Sequence, residues 1–154
     1  INEKAYNEKK GKKIFLSRLN YGYSRFINEK EIVGLFEEYG FESVYTGDLS
    51  FEEQVKLFDE ADIVAGATGA AFANIAFCRP GTKIICIIPK EYDFNLYSTI
   101  AGILELETIF LDAIIEERNE NLAISTYRAD AEYCRKLLKQ LLINEYNSGD
   151  YINN

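Results

Sequence analysis

Residues 66–74 have the composition of an anion-binding loop. They read Gly-Ala-Thr-Gly-Ala-Ala-Phe-Ala-Asn and begin where the predicted strand 62–66 ends. A glycine-bounded turn that leads into a helix lets backbone N–H groups approach a phosphate, and the helix N-terminus favours negative charge. The segment has neither the G-x-G-x-x-G pattern nor the lysine of a Walker A loop. Composition alone slightly favours the simpler interpretation, a tight strand-to-helix turn that holds no ligand.

Two arginines flank the loop that follows the first predicted strand. Ser17-Arg18 and Ser24-Arg25 stand on either side of a segment rich in glycine and tyrosine. Two guanidinium groups at the end of a strand could bind phosphate oxygens in bidentate fashion. Ion pairs with some of the 25 Asp and Glu residues are the slightly favoured alternative. Asn28 and Glu29 are equally ambiguous, because helix capping explains the first and the helix dipole explains the second.

The composition excludes several classes of mechanism and partner. The chain has 154 residues and no His, which rules out imidazole-based catalysis and HExxH zinc sites within it. A net charge of −8 argues against a nucleic-acid partner, although a local basic pocket for one small anion remains compatible with it. Nothing resembles an Asp-x-Asp metal site, so we predict no bound metal. Three cysteines stand at no metal-like spacing; Cys86 and Cys134 are expected to be buried, and free thiols indicate a reducing compartment.

The chain is expected to hold one domain of a longer protein, because it begins with Ile1 and contains no Met. We predict a tail or linker at residues 1–12, a folded domain at 13–146 and a frayed end at 147–154. No apolar run approaches 18 residues, so no transmembrane segment is predicted in this chain.

The predicted elements alternate between short apolar runs and amphipathic stretches. The strands are expected at 14–16, 43–45, 62–66, 83–88, 109–111 and, more weakly, 122–124. Helices are expected after capping boxes at Asn28 and Ser50, after Gly69, at 97–106, and along the apolar stripe 134–142. This alternation predicts an α/β fold, a Rossmann-like and mostly parallel sheet with helices on both faces. Ligands would bind beyond the carboxyl ends of the strands, near residues 17–25, 46–49, 66–74 and 89–95.

Five sequence blocks occur in order between residues 13 and 101. The first runs from Ser17-Arg18 to Arg-x-x-Asn-Glu-x-Glu-Ile at 25–32, and the second is Gly-Phe-Glu-Ser-Val at 40–44. The others are Leu-Ser-Phe-x-x-Gln-Val-x-Leu-Phe at 49–58, Ala-Asp-Ile-Val-Ala-Gly-x-x-Gly-Ala-Ala-x-x-Asn at 61–74 and Phe-x-x-Pro-Gly-Thr at 77–82. Together they resemble glycosyltransferase family 61, which includes capsular polysaccharide biosynthesis proteins. The resemblance implies two Rossmann-like halves in the GT-B arrangement, with this chain as the carboxyl-terminal, donor-binding half.

The resemblance also implies which residues bind the donor. Carried over by position, they are Arg18, Arg25, Asn28, Glu29, Thr68, Gly69, Ala70 and Asn74. Thr68 departs from the family pattern, which usually has His before Gly-Ala. A hydroxyl can hydrogen-bond a phosphate or a sugar but cannot act as an imidazolium or as a base at neutral pH. No catalytic residue is assigned, because the acceptor-activating base is expected in the other half.

The function implied by this resemblance is inverting, metal-independent transfer of a sugar from a nucleotide-sugar donor to a surface or capsular polysaccharide. The donor is a substrate, and no cofactor is expected. The polysaccharide or glycolipid acceptor would bind through the other half, in the cytoplasm at the inner membrane face. Two alternatives remain open. Thr68 would suit a non-catalytic nucleotide-sugar binding module or a degenerate relative. A dinucleotide-dependent Rossmann enzyme is disfavoured, because the turn after the first strand lacks the expected glycines.

Overall fold

The computed structural model describes residues 11–21, 24–92 and 95–149. Within them lie six strands: β1 (Lys12–Leu16), β2 (Glu42–Val44), β3 (Ala61–Ala67), β4 (Lys83–Pro89), β5 (Glu107–Glu117) and β6 (Thr126–Ala129). Four α-helices accompany them: α1 (Glu29–Glu38), α2 (Phe51–Asp59), α3 (Asn95–Ile103) and α4 (Ala131–Gly149). Most of the predicted tail and the end of the chain from residue 150 lie outside the described residues. Lys12, predicted to end the tail, instead begins β1, and its ammonium lies 2.6 Å from Glu60.

The strands form one sheet in the order β2-β1-β3-β4-β5-β6. The pairs from β2 to β5 are parallel, and β6 runs antiparallel to β5. From β1 the chain moves outward to β2, then crosses back to β3 on the other side of β1. The carboxyl ends of β1 and β3 therefore flank the switch point, where parallel α/β sheets open a ligand crevice.

The alternation of side chains along the strands divides the core into two layers. Phe15, Ile63 and Ile85 belong to one cluster with α1 and α4. Their neighbours in sequence, such as Ile14 and Val64, belong to a second cluster with α2 and α3. The prediction of an α/β sheet with helices on both faces is thus confirmed. β4 is buried almost throughout, as its continuous apolar sequence predicts for a strand covered on both sides.

The two predicted capping boxes have different outcomes. At the start of α2, the Ser50 hydroxyl accepts the Glu53 N–H at 3.2 Å and the Glu53 carboxylate accepts the Ser50 N–H at 2.7 Å. Asn28 precedes α1 but makes no side-chain cap. Its amide instead bonds both backbone groups of Ala129, accepting at 3.0 Å and donating at 2.8 Å. The capping box predicted at Asn28 is therefore wrong, because the Asn28 side chain bonds the backbone of β6 instead.

Two further element predictions need correction. Residues 122–124 form a 3-10 turn rather than a strand, because the Asn121 side chain accepts the Ala123 N–H at 3.1 Å. The predicted helix after Gly69 is a 3-10 helix, Ala70–Phe77. Its two buried residues, Phe72 and Ile75, are three positions apart, and that spacing matches the three-residue turn of a 3-10 helix.

All three cysteines are buried and unpaired, as predicted for two of them. Burial raises the pKa of each thiol to about 12. Since the thiolate is the reactive form, the native chain should react with a disulfide reagent such as DTNB only as fast as it unfolds. Three thiols should react in denaturant and none promptly at pH 8 without it. Prompt reaction of even one thiol in the native chain would contradict this burial.

Candidate functional site

A cavity of about 250 Å³ opens at the switch point, beyond the carboxyl ends of β1, β3 and β4. It is lined by Arg18, Arg25, Thr68, Gly69, Ala70, Tyr92, Ala123 and Tyr127. Five of the eight residues carried over from the family pattern therefore meet in one place. They come from two segments about 45 residues apart in sequence, which the crossover between β1 and β3 brings together.

Arg18 reaches from the end of β1 to the loop that follows β3. Its guanidinium donates to the Thr68 carbonyl oxygen at 2.8 Å. It also lies directly over Gly69, where an added methyl would be 1.2 Å from Nη2 and 2.4 Å from Cζ. The φ angle of Gly69 is 161°, an extended conformation open to any residue. Glycine at this position thus serves to make room for the guanidinium.

Gly66 has a different role from Gly69. Its φ is +156°, and an added methyl would be 3.0 Å from the Leu16 carbonyl oxygen and 3.3 Å from the Phe72 ring. Gly66 lets β3 lie close to β1, a packing requirement that needs no ligand. A tight strand-to-helix turn that holds no ligand therefore explains Gly66, but it does not explain Gly69.

Contacts with β6 and with the turn before it hold Arg25 at the cavity. Its carbonyl oxygen accepts the Tyr127 N–H at 2.9 Å, and Phe26 forms an isolated bridge with Tyr127. The Arg25 guanidinium donates to the Ala123 carbonyl oxygen. The segment before α1 is therefore fastened to β6, which brings Arg25 to the same cavity as Arg18.

The two arginines differ from the others in how their charge is compensated. Four of the six arginines form ion pairs: Arg79–Asp59, Arg118–Glu91, Arg128–Glu116 and Arg135–Glu38. Neither Arg18 nor Arg25 has a carboxylate partner within residues 11–21, 24–92 and 95–149, and no Asp or Glu lines their cavity. In a chain of net charge −8, this cavity is a local concentration of positive charge. Surface ion pairing, the slightly favoured alternative from sequence, does not account for these two residues.

Backbone N–H groups add hydrogen-bond donors to this positively charged cavity. The N–H groups of Gly69 and Ala70 stand at the start of the 3-10 helix and donate to no acceptor in the described part of the chain. Such groups at a helix start are common ligands of anions. The Thr68 N–H, by contrast, is used by the Ile87 carbonyl oxygen at 2.9 Å. The Thr68 hydroxyl is buried without a hydrogen-bond partner of ordinary geometry.

Tyrosines form the remaining wall. The rings of Tyr92 and Tyr127 meet edge to face with centroids 6.3 Å apart, and Phe26 stacks on Tyr127 at 5.3 Å. Burial raises the pKa of Tyr127 to about 12 and also raises that of Tyr92. The Tyr92 hydroxyl donates to the Ser125 carbonyl oxygen at 3.5 Å, so this phenol already has one acceptor. Neither tyrosine was predicted from the sequence as a site residue, although Tyr92 lies in the predicted ligand segment 89–95.

Three of the carried-over residues do not line the cavity. Glu29 is 2% exposed and accepts the Arg18 N–H at 2.6 Å and the Ser24 hydroxyl at 2.7 Å. Asn28 binds the backbone of β6, as described above. Asn74 donates to the Gln54 side chain at 2.8 Å, tying the 3-10 helix to α2. These three side chains hold the loops around the cavity.

In the described part of the chain, no three His, Cys, Asp or Glu side chains come close enough together to hold a metal ion. No helix in it combines the length and the apolar character that a membrane span needs.

Comparison with known families agrees with the blocks found in the sequence. Residues 2–85, more than half of the chain, match the family model described as Glycosyltransferase 61. No curated protein matches the chain significantly. The matched range includes both arginines and the Thr68-Gly69-Ala70 turn, whereas Tyr92 and Tyr127 lie beyond it. The chain belongs to glycosyltransferase family 61.

Proposed function

We propose that this chain is the donor-binding part of a glycosyltransferase and that its cavity holds the diphosphate of a nucleotide sugar. One observation carries the proposal. Arg18 and Arg25, the two arginines without a carboxylate partner in the described residues, meet at one cavity with the unused N–H groups of Gly69 and Ala70. A diphosphate supplies the negative charge and the acceptor oxygens that match this set of donors.

The same donors suit the chemistry of sugar transfer. When the bond between the sugar and the diphosphate breaks, negative charge accumulates on the departing phosphate oxygen. Guanidinium and N–H groups already aimed at that oxygen stabilise the charge without having to reorganise. We therefore propose that the two arginines provide the positive charge for the leaving group, without a metal ion. Thr68 would contribute a hydrogen bond where relatives usually have His, and the base that activates the acceptor would lie outside this chain.

The acceptor and the cellular setting rest on the family resemblance. We propose a surface or capsular polysaccharide, or a glycolipid precursor of one, as acceptor. It would bind to a second Rossmann-like half that faces this one across the cleft of a GT-B enzyme, on the cytoplasmic side of the inner membrane. The strand order, with its switch point between β1 and β3, supports a nucleotide-binding role for this half.

A thermal-shift titration of the chain with UDP, GDP, CMP, UDP-sugars and NAD tests this proposal. A ligand that binds only the native state adds RT ln(1 + [L]/Kd), about 2.7 kcal/mol at 100 times Kd. We expect a shift with one class of nucleoside diphosphate that is the same with and without magnesium. A shift with NAD alone, or only in the presence of magnesium, would contradict the proposal.

Thr68 favours a second candidate, a nucleotide-sugar binding module that has lost transferase activity. It predicts the same binding but no sugar transfer by the complete parent protein. Turnover by that protein would exclude the second candidate.

Gly69→Ala should reduce nucleoside diphosphate binding while leaving the fold intact. The new methyl would occupy the space of the Arg18 guanidinium, which must swing away, whereas the extended backbone accepts alanine. We expect at least a 10-fold loss of affinity by calorimetry, with the free energy of unfolding changed by less than about 1 kcal/mol. Gly102→Ala in α3, where nothing lies within 4 Å of the added methyl, is the matched control. Unchanged affinity in Gly69→Ala would show that the position of Arg18 does not matter.

A further inference from the structure

A second cavity, of about 350 Å³, adjoins the first and shares Arg18 and Ala70 with it. Its other walls include Leu16, Tyr21, Thr46, Ala67 and Ala71. Apart from Arg18, none of its lining residues is charged. Arg18, which borders both cavities, thus stands between a cationic compartment and one that is aromatic and mostly apolar.

Tyr21 is the distinctive residue of the second cavity. The residue is 57% exposed, yet it is held both at its backbone and at the tip of its side chain. Its N–H donates to the Arg18 carbonyl oxygen at 3.0 Å, and its hydroxyl rests against Gly47, where an added methyl would be 2.2 Å away. The ring therefore spans from the loop after β1 to the loop after β2. A large aromatic surface fixed in this way is left open beside Arg18.

We propose that this second cavity binds the nucleoside of the donor, with the base packed against the Tyr21 ring. This inference rests on the proposed function, since it takes the diphosphate to lie in the first cavity. The base of a nucleotide is flat, uncharged and aromatic, and it gains from stacking on an exposed ring. The sugar is rich in hydroxyls, and the first cavity offers it the oxygen acceptors and ring surfaces of its two tyrosines, Tyr92 and Tyr127. In this orientation the diphosphate of the donor lies at Arg18, the base packs against Tyr21 in the second cavity, and the sugar lies in the first cavity.

Comparing UDP or GDP, whichever binds more tightly, with inorganic pyrophosphate separates the two cavities. Removal of one base–aromatic contact by alanine typically costs 1–3 kcal/mol, which is about 5- to 150-fold in affinity. We expect Tyr21→Ala to weaken the nucleotide by such a factor and to leave pyrophosphate within about 2-fold. Tyr21→Phe, which keeps the ring, should restore nucleotide binding. Tyr133→Ala, at a tyrosine of α4 that is 54% exposed, is the matched control.

A second variant tests the position of the Tyr21 ring without removing the ring. Gly47→Ala should displace the Tyr21 ring and weaken the nucleotide selectively, because its methyl would meet the tip of that side chain. Equal losses for nucleotide and pyrophosphate, no loss for either, or tighter wild-type binding of pyrophosphate than of both nucleotides would overturn the nucleoside assignment. Failure of pyrophosphate to bind the wild-type chain would instead count against the proposed diphosphate site.

Discussion

Replacement of Arg18 by alanine should weaken UDP or GDP binding by about 10- to 150-fold. Arg18 borders both cavities, and its guanidinium donates to the Thr68 carbonyl oxygen but has no carboxylate partner in the described residues, so its charge is left for the site. Hydrogen bonds to charged groups contribute roughly 1.5–3 kcal/mol each, which sets the size of the expected loss. Arg18→Lys should fall between wild type and alanine, because an ammonium keeps the charge but loses the planar fork. Isothermal titration calorimetry measures all three proteins under the same conditions.

The control for Arg18 is another arginine of the same chain. Arg128 is exposed, pairs with Glu116 at 2.8 Å and lies outside both cavities. Arg128→Ala should therefore leave nucleotide affinity unchanged within about 2-fold at the same ionic strength. If the two alanine variants lose affinity equally, the effect is one of net charge and the site is not where we place it.

Replacement of Glu29 by alanine should lower the free energy of unfolding by about 2–4 kcal/mol. The carboxylate is 2% exposed and accepts hydrogen bonds from the Arg18 N–H and the Ser24 hydroxyl. Its removal takes the carboxylate acceptor from two partly buried donors, and the loop between β1 and α1 loses its anchor. For a domain of this size, such a loss lowers Tm by roughly 5–15 °C, measurable by circular dichroism.

Two variants calibrate the Glu29 result. Glu29→Gln keeps an acceptor oxygen and should lose less than half as much stability as the alanine variant. Glu42→Ala, at an exposed position of β2, should change the free energy of unfolding by less than about 0.5 kcal/mol. A Glu29→Ala protein as stable as wild type, but unable to bind nucleotide, would instead make Glu29 a direct ligand.

Elements with a strong local signal could be predicted from the sequence. The continuous apolar run of β4 and the capping box at Ser50 were identified because neighbouring residues specify them. β6 was misplaced by a few residues, because part of its pairing is with a segment distant in sequence. Tyr127 pairs with Ile115 of β5 and bridges Phe26, about a hundred residues earlier. No local pattern reveals such contacts.

The candidate site was predictable in position but not in detail. The rule that ligands bind beyond the strand ends directed attention to the segments of Arg18, Thr68 and Tyr92. Whether an arginine is paired depends on which carboxylates the fold brings near it, so the sequence could not separate Arg18 from Arg79. Matching positions to the family pattern likewise could not separate Glu29 from the residues that face the cavity. Glu29 is buried and holds the loop between β1 and α1.

A crystal structure of the chain with bound UDP or GDP tests the central claim most directly. The account predicts diphosphate oxygens within about 3.2 Å of the guanidinium groups of Arg18 and Arg25 and of the N–H of Gly69 or Ala70. A nucleotide bound elsewhere, for example in the groove between α1 and α4 near Lys30 and Arg135, would contradict it.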